Sequence, residues 1–229
     1  MIDVLDLPGA RAVFSTRQGG VSDGPYRSLN LGLLTDDPRE RVIENRSRLA
    51  RAVGLTADRV VMGWQVHGAD VHEWPGAAGE ELPKVDGHTT RERGLGLLVL
   101  AADCYPVALS DGVRAAMLHC GWRPLAGGLI EKAVARFDSV PAAAVGPGIG
   151  GCCYEVGPEV AEHFVGVEGA LEGRMLDLRR VIERKLTAAG VREIEHLDRC
   201  TSCEPDLYFS HRRDKGLTGR QGGLCVLSG

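Results

Sequence analysis

The sequence predicts a mixed α/β fold in which helices flank β-sheet. Short apolar segments typical of strands outnumber continuous strand–helix–strand units along the chain. Asp111-Gly112 separates two apolar runs, 95–109 and 113–119, which is a strong β-hairpin signal. The run GPGIGG at 146–151 lacks the glycine order, the following helix and the acidic residue of a dinucleotide-binding fingerprint. We therefore expect hairpins and mixed sheets rather than a Rossmann domain.

The individual elements follow from turn and capping signals. Residues 14–34 are rich in Gly and Ser, but embedded Tyr and Leu residues indicate an ordered loop that ends in a short strand. Asp37 and Pro38 are typical of a helix start, and Gly54 is typical of its end. The remaining predictions are strand material at 60–71 broken at His67-Gly68, the hairpin at 95–119, a helix at 124–137, a strand with a glycine-rich turn at 142–151, helices at 158–164 and 177–189, and strands at 194–197 and 224–227.

The composition describes an ordinary globular protein. The chain has 229 residues, of which 44% are hydrophobic and 25% are charged, and its net charge of −4 gives no basic field to attract nucleic acid. The first residues do not form a signal peptide, and no apolar run reaches the roughly 18 residues that span a bilayer. Seven cysteines, an odd number, favour metal or thiol chemistry over a disulfide framework. We therefore expect a cytoplasmic protein that binds neither nucleic acid nor membrane.

The predicted hairpin contains the first candidate site. A two-residue turn at Asp111 and Gly112 would place Cys104 directly opposite His119, with Cβ atoms roughly 4.5–5.5 Å apart. Such a thiol and imidazole are either two metal ligands or a nucleophile beside its base. The alternative is that both are ordinary core residues. Pro106 indicates that this strand lies at a sheet edge or leaves its ladder near the cysteine.

His67 is the candidate for a third ligand. It precedes Gly68 at a predicted bend, where the glycine would let another group approach closely. Two imidazoles and one thiolate with an open fourth position are typical of catalytic zinc sites. His72 is a weaker rival, because it lies in an alternating stretch and can simply face solvent.

Two other groups of residues have ordinary explanations. The vicinal pair Cys152-Cys153 and the C-x-x-C at 200–203 together imitate a four-cysteine zinc ribbon, but adjacent cysteines rarely bind one ion, so we expect no such site. The arginines of the basic run 211–215, including Arg213, together with Arg220 and with Arg46 and Arg48 on the first helix, suit phosphate recognition, although a solvated charge run explains them equally well.

Eight motifs occur in order along nearly the whole chain: STRQGGVS at 15–22, SLNLG at 28–32, ENR at 44–46, QVHG at 65–68, ADCYP at 102–106, HCGWR at 119–123, GPGIG at 146–150 and FSHRRD at 209–214. Together they resemble the YfiH family, also called the multicopper polyphenol oxidase or laccase-domain family. Cys120 departs from the family's HAGW motif, in which a small alanine is usual, and adds a second thiol beside the site.

The resemblance implies a fold, a metal site and an activity. The fold is a single domain over residues 1–229, a four-layer α/β/β/α sandwich with mixed sheets. A zinc or copper ion binds His67, Cys104 and His119, which are also the catalytic residues. The activity is phosphorolysis of adenosine, inosine, guanosine and S-methyl-5′-thioadenosine, with adenosine deamination as a second activity.

Substrate-binding roles and the competing functions are the remaining expectations. We expect Asn30, Arg46, Gln65, Arg213 and Arg220 to bind purine nucleoside or phosphate, with the arginines neutralising phosphate charge. Three alternatives remain: a copper-dependent polyphenol oxidase, a metal-free hydrolase with a cysteine nucleophile and a histidine base, and a structural zinc or thiol-switch protein. The oligomeric state does not follow from the sequence.

Overall fold

A computed structural model describes residues 2–76 and 82–228. Within these residues the strands are β1 (Ile2–Leu7), β2 (Ala10–Ser15), β3 (Val60–Val61), β4 (Val71–Trp74), β5 (Gly87–Thr90), β6 (Gly96–Ala101), β7 (Tyr105–Ser110), β8 (Ala115–Cys120), β9 (Ala142–Val145), β10 (Leu171–Glu172), β11 (Met175–Leu176), β12 (Ile194–His196) and β13 (Gln221–Leu227). The α-helices are α1 (Arg39–Ala52), α2 (Trp122–Ala126), α3 (Leu129–Val134), α4 (Pro158–Ala161) and α5 (Leu178–Ala188).

The strands form two large mixed sheets. The first has five strands in the order β1-β2-β13-β6-β3, and all its pairs are antiparallel except β3 with β6. The second has six strands in the order β12-β9-β7-β8-β5-β4, with parallel pairs at both edges and antiparallel pairs between them. The prediction of a mixed α/β fold with mixed sheets is therefore confirmed.

The apolar side chains occupy three layers that explain how the sheets and helices pack. Between the two sheets lie alternate residues of β2, β6, β13, β7, β8 and β9, among them Phe14, Leu97 and Met117. The opposite face of the first sheet packs on α1 through Leu49 and Val53. The opposite face of the second sheet packs on α2, α3 and α5. The alternation along each strand buries one side chain against the other sheet and the next against a helix.

The hairpin that joins β7 to β8 has a different register from the predicted one. Asp111 accepts hydrogen bonds at Oδ1 from the backbone N–H groups of Val113 (2.9 Å) and Arg114 (2.7 Å), and its own N–H donates to Arg114 O at 3.3 Å. Residues 111–114 therefore separate the two strands, the pairing is shifted by two residues, and Pro106 rather than Cys104 stands opposite His119. The prediction of a turn centred on Asp111 and Gly112 was wrong, because Asp111 closes the loop with Arg114 instead of lying within the turn.

Pro106 lies in an interior strand, so the predicted sheet edge is wrong, whereas the alternative, departure from a ladder near Cys104, agrees with the structure. Its strand β7 pairs with β8 on one side and β9 on the other. The carbonyl oxygen of Pro106 accepts a hydrogen bond from Gly146 N at 2.9 Å, and the β7–β9 pairing begins only at the next residue, Val107. Since the nitrogen and oxygen of one strand residue point to the same side, the missing N–H faces the end of β9, where the ladder stops.

Two helix predictions also change. The predicted helix 124–137 is two short helices, α2 and α3, because Gly127 ends the first and Gly128 adopts a left-handed conformation (φ +82°) between them. Asp37 does not cap α1, which has Pro38 at its N-cap position. Its buried carboxylate instead accepts hydrogen bonds from Ser22 Oγ (2.5 Å) and Asn30 Nδ2 (2.9 Å), and so orders the preceding loop.

The short strand predicted at the end of residues 14–34 is absent. The loop before α1 contains a short 3₁₀ turn at Gly24–Tyr26 but no strand among residues 16–38. Among the helices in the described ranges, none has the length and apolar character needed to cross a membrane.

Candidate metal centre and its cavity

His67, Cys104 and His119 converge at one end of the second sheet. His67 lies in the bend between β3 and β4, Cys104 lies in the bend that leads into β7, and His119 lies on β8. One ligand atom from each residue lies within 4.8 Å of the others. Cys104 and His119 are therefore close even though they are not directly opposed in the hairpin.

Gly121 is the reason that the shifted register still permits this contact. In the register observed, the position across from Cys104 is Gly121, just beyond the paired residues Tyr105 and Cys120. A Cβ atom at Gly121 would lie 2.8 Å from Cys104 Sγ, which is too close for a carbon and a sulfur. The absence of a side chain at Gly121 thus leaves the space that the sulfur occupies beside His119.

Asp86 orients the ring of His119 and holds the backbone on both sides of His67. Its Oδ1 lies 2.7 Å from His119 Nδ1, and its Oδ2 accepts hydrogen bonds from Val66 N (3.0 Å) and Gly68 N (2.7 Å), on both sides of His67. The carboxylate is fully buried. Because Nδ1 of His119 is engaged, Nε2 is the nitrogen available to a metal, as in the carboxylate–histidine–metal arrangement of many sites.

The electrostatics of the site favour a thiolate. Burial alone would raise the pKa of the Cys104 thiol, but His119 and His67 outweigh burial and lower that pKa to about 6. Burial would likewise lower the pKa of His119, whereas Cys104 and Asp86 raise it to about 9. Metals bind the thiolate rather than the thiol, so the side-chain environment already favours the ligating form of the cysteine.

Two bends with unusual backbone conformations present these groups. His67 has φ +56° and Asp103 has φ +92°, a region that residues other than glycine rarely adopt. Hydrogen bonds offset the local strain at Asp103: its Oδ1 accepts from Thr201 Oγ1 and its Oδ2 from Arg212 N, both at 2.7 Å. Strained backbone held by its surroundings is typical of functional sites.

The metal-ligand cluster opens into a cavity of about 630 Å³. This volume lies within the range of small-molecule sites, about 300–1,000 Å³. Its lining combines apolar and aromatic side chains with cationic ones, and it includes Leu33, Leu34, Met62, Trp64, Leu100, Trp122, Tyr154, Arg46, Arg123, His211, Arg212 and Arg220. Three protein ligands that face a cavity match the open form of a catalytic metal site rather than the closed form of a structural one.

Two of the cavity arginines, Arg46 and Arg220, form hydrogen bonds with the backbone of Leu31 in the loop before α1. Arg46 donates from Nε to the carbonyl oxygen of Leu31 at 2.8 Å, and Arg220 accepts a hydrogen bond at its own carbonyl from Leu31 N at 3.0 Å. Burial lowers the pKa of Arg46 to about 10, with a smaller contribution from Arg39. A guanidinium with this pKa is still charged at neutral pH, so the cavity carries positive charge beside the metal ligands.

The five predicted substrate-binding residues divide into two groups. Arg46, Arg220 and Gln65 line the cavity, although Gln65 uses both side-chain ends to bond the backbone of Leu100 at 2.8 Å. Asn30 and Arg213 are not among its lining residues.

Both of those residues are occupied inside the protein. Asn30 Oδ1 accepts hydrogen bonds from Arg220 N and Gly32 N. The guanidinium of Arg213 is bonded to Asp214 and to the carbonyl oxygens of Thr201 and Tyr208. The structure therefore places the Asn30 and Arg213 side chains away from the cavity lining, where they hold neighbouring segments, and their contact with substrate stays a prediction.

Sequence reasoning missed Asp86, Tyr154 and Arg123, and named Arg212 only as part of a basic run. Asp86 stands directly before β5 in Val85-Asp86-Gly87, and a lone acid beside a short strand is only a weak signal. Arg123 lies inside the HCGWR motif and Tyr154 lies outside the eight motifs, so neither residue stood out. The guanidinium of Arg212 lies 4.9 Å from the centre of the Tyr154 ring, and that of Arg123 lies 4.3 Å from the Trp122 ring, so both stack on aromatic walls.

Comparisons with known proteins agree with this fold. The chain is 40% identical to the purine nucleoside phosphorylase YlmD of Geobacillus stearothermophilus over 93% of this chain and 88% of that protein. It is 38% identical to the purine nucleoside phosphorylase YfiH of Escherichia coli over 96% of this chain and 94% of that protein. The crystal structure of Neisseria meningitidis protein NMB0706 superposes with a TM-score of 0.92 at 33% identity, covering 100% of this chain and 99% of that one. The family model described as multi-copper polyphenol oxidoreductase laccase matches residues 11–228, and the chain belongs to this family.

Proposed function

We propose that this protein is a metal-dependent purine nucleoside phosphorylase whose whole chain, residues 1–229, is one catalytic domain. The observation that carries the proposal is a cluster of three metal ligands that opens into a cavity lined by arginines. The names of the relatives from Geobacillus and Escherichia point to the same reaction.

In phosphorolysis, a phosphate oxygen forms a bond to C1′ of the ribose while the bond from C1′ to the purine nitrogen breaks. The electron pair of that bond leaves with the purine, which takes up a proton, and ribose 1-phosphate is the other product. The reaction therefore requires a site for a phosphate anion beside the ribose and an aromatic wall for the base. Arg46 and Arg220 provide positive charge, and Tyr154 and Trp64 provide aromatic surface in the same cavity.

The residues present fit a metal ion. A thiolate and two imidazoles are ligands that suit zinc and also copper, and Asp86 supplies the hydrogen bond that orients His119. When bound, the metal would supply Lewis acidity at the open side of the cluster. We favour zinc, because a catalytic zinc site takes three protein ligands and keeps the fourth position open.

The cavity also suits the proposed range of substrates: adenosine, inosine, guanosine and S-methyl-5′-thioadenosine. Leu33, Leu34 and Met62 form an apolar part of the lining that would accept a methylthio group as readily as a 5′-hydroxyl. None of the cysteines among the described residues forms a disulfide, which supports a reducing compartment such as the cytoplasm.

The test is release of ribose 1-phosphate and free base from each nucleoside, measured with and without phosphate. Arg46→Ala should raise the KM for phosphate about 10- to 100-fold, because a hydrogen bond to a charged group contributes about 1.5–3 kcal/mol. Arg48→Ala is the matched control: Arg48 lies on the same helix but bonds Glu44 outside the cavity. Products that form equally well without phosphate would overturn the proposal.

Phosphorolysis has three competing activities that need separate assays. The family model is described as a polyphenol oxidoreductase, so copper-loaded protein should be assayed with phenols. Against this activity, seven histidines are too few for the ligand set of a multicopper cluster.

Water attack at purine C6 would deaminate adenosine, a reaction that zinc deaminases perform on unrelated folds. Ammonia release without phosphate measures this second activity, and turnover that persists after chelation would instead favour Cys104 and His119 as a nucleophile–base pair.

A further inference from the structure

Four cysteines outside the cavity form a second cluster. Cys152 and Cys153 lie in the turn that follows β9, and Cys200 and Cys203 lie after β12, about fifty positions further along the chain. The sequence favoured no common site for these residues. The structure nevertheless brings one sulfur from each within 4.8 Å of the others.

The distances between the sulfurs match the coordination of a single metal ion. Cys152 Sγ lies 3.7 Å from Cys153 Sγ, 3.8 Å from Cys200 Sγ and 3.7 Å from Cys203 Sγ, and the distance from Cys153 Sγ to Cys203 Sγ is 3.4 Å. A tetrahedron of sulfurs around zinc, with Zn–S bonds of about 2.3 Å, has edges of about 3.8 Å. Disulfide bonds would require sulfurs about 2.05 Å apart.

The surrounding backbone supports the same conclusion. Gly150 N donates a hydrogen bond to Cys200 Sγ at 3.2 Å, which orients that sulfur as outer hydrogen bonds orient metal ligands elsewhere. A Cβ atom at Gly150 would lie 3.2 Å from Cys152 Sγ and 3.5 Å from Cys200 Sγ, so this glycine leaves room for the cluster. Turn hydrogen bonds from Cys153 N to Gly150 O (2.9 Å) and from Cys203 N to Cys200 O (3.2 Å) curl each cysteine pair around a common centre.

We propose that Cys152, Cys153, Cys200 and Cys203 bind a zinc ion in a closed, four-thiolate structural site. Four protein ligands leave no open position, so this metal would hold the fold together rather than take part in a reaction. The cysteines bind as thiolates and release their protons to solvent when the ion enters. The proposal is independent of phosphorolysis, because it concerns residues that do not line the catalytic cavity.

The position of the site explains what such a metal would stabilise. It joins the turn after β9 to the segment 200–213, which also meets the residues after β9 through an isolated β-bridge between Gly148 and Cys200 and a hydrogen bond from Arg212 Nη1 to Glu155 O at 2.6 Å. The same segment provides Thr201 and Arg212, whose hydrogen bonds hold Asp103 beside Cys104. A zinc ion here would therefore act as a clip on one wall of the catalytic cavity.

Metal analysis of purified protein tests the proposal. Wild-type protein should carry about two zinc ions per chain, and His119→Ala should retain about one. Cys203→Ser should lose the second ion and keep the first, whereas Ser202→Ala, the control between the two cysteines, should bind as wild type does. The proposal would be overturned if wild-type protein held only one zinc ion, and this ion were lost in His119→Ala but kept in Cys203→Ser. Iron bound at the four cysteines would also overturn it.

A second measurement decides the matter where Cys203→Ser does not fold. Cobalt added to the reduced, metal-free Cys104→Ser protein should produce an intense thiolate-to-cobalt charge-transfer band, because Cys120 and Cys225 are buried apart from the cluster. Absence of this band overturns the proposal. The intact mass of the purified protein gives one more check. A mass lowered by the hydrogens that disulfide formation between these cysteines removes would overturn the proposal, because oxidised sulfurs cannot bind the ion.

Discussion

Substitution of Gly121 by alanine tests whether the space opposite Cys104 determines the metal site. The backbone of Gly121, with φ −85° and ψ 177°, is in an extended conformation that alanine adopts without strain. The added Cβ would lie 2.8 Å from Cys104 Sγ, while its next neighbours, His67 Cδ2 at 3.6 Å and Pro124 Cδ at 3.7 Å, are at ordinary contact distances. The substitution is thus directed at one sulfur atom.

The expected effect follows from the distance that the sulfur must move. To reach an ordinary contact of about 3.5–4.0 Å, Cys104 Sγ must withdraw by roughly 1 Å from the added methyl group. Metal sites tolerate deviations of only about 0.2 Å in ligand distance. A displacement of about 1 Å at a reacting centre costs roughly 100-fold in rate, equivalent to about 2.7 kcal/mol. Gly121→Ala should therefore weaken metal binding and lower kcat/KM by about this factor.

The assay combines metal titration with phosphorolysis kinetics and a neighbouring glycine as control. Gly68→Ala lies next to His67, yet its Cβ would meet no atom closer than Val66 Cγ2 at 3.5 Å, so metal content and rate should stay close to those of the wild type. Thermal unfolding of both variants separates a local effect from loss of the fold. If Gly121→Ala binds metal and turns over substrate as Gly68→Ala does, the steric account of the site is refuted.

Two further predictions concern buried polar groups. Asp86→Asn should lower metal affinity about 10- to 100-fold, because His119 loses the carboxylate that orients it. Competition with a chromophoric chelator measures this affinity, and a value equal to that of the exposed control Asp70→Asn would contradict the prediction. His88 receives a hydrogen bond from Trp74 Nε1 at 3.2 Å, and burial lowers its pKa to about 3. Since the unfolded chain takes up this proton below about pH 6.5 and the folded chain does not, stability should fall by roughly 2 kcal/mol between pH 7 and pH 5. Denaturant unfolding of His88→Gln should show a shallower decline over this interval, and an unchanged slope would exclude His88 as its source.

The local elements were the part of the fold that the sequence could predict. Gly54 ends α1 in a left-handed conformation (φ +80°), and Asp177 caps α5 by accepting a hydrogen bond from Arg180 N, because these signals act within a few residues. The hairpin register was not predictable in the same way. Whether Asp111 lies within the turn or closes the loop with Arg114 depends on a difference of only a few hydrogen bonds, and the outcome moves every pair by two positions.

The candidate site shows the same division. His67, Cys104 and His119 were accessible to sequence reasoning because thiol and imidazole groups are uncommon and chemically distinctive. Asp86 was not, because carboxylates are common, and its value depends on a contact with His119 across thirty-three positions. The proximity of the four cysteines was not predicted for a related reason. Nothing local indicates that the turn after β9 and the segment after β12 meet, so the usual rarity of adjacent cysteine ligands decided the prediction.

The two clusters differ in how far their geometry depends on a metal. Asp86 and His119 are held by adjacent strands, β5 and β8, and by a backbone hydrogen bond from His119 N to Asp86 O at 2.8 Å, so sheet formation itself assembles much of the first site. The four cysteines instead lie in two loops outside the sheets, which are joined by the isolated β-bridge between Gly148 and Cys200 and by hydrogen bonds such as that from Arg212 Nη1 to Glu155 O at 2.6 Å. Binding energy is released as folding energy only where the unbound chain lacks the site. A metal bound by His67, Cys104 and His119 would therefore contribute mainly to the proposed reaction, whereas a metal at the four cysteines would contribute mainly to the order of the segment that holds Asp103.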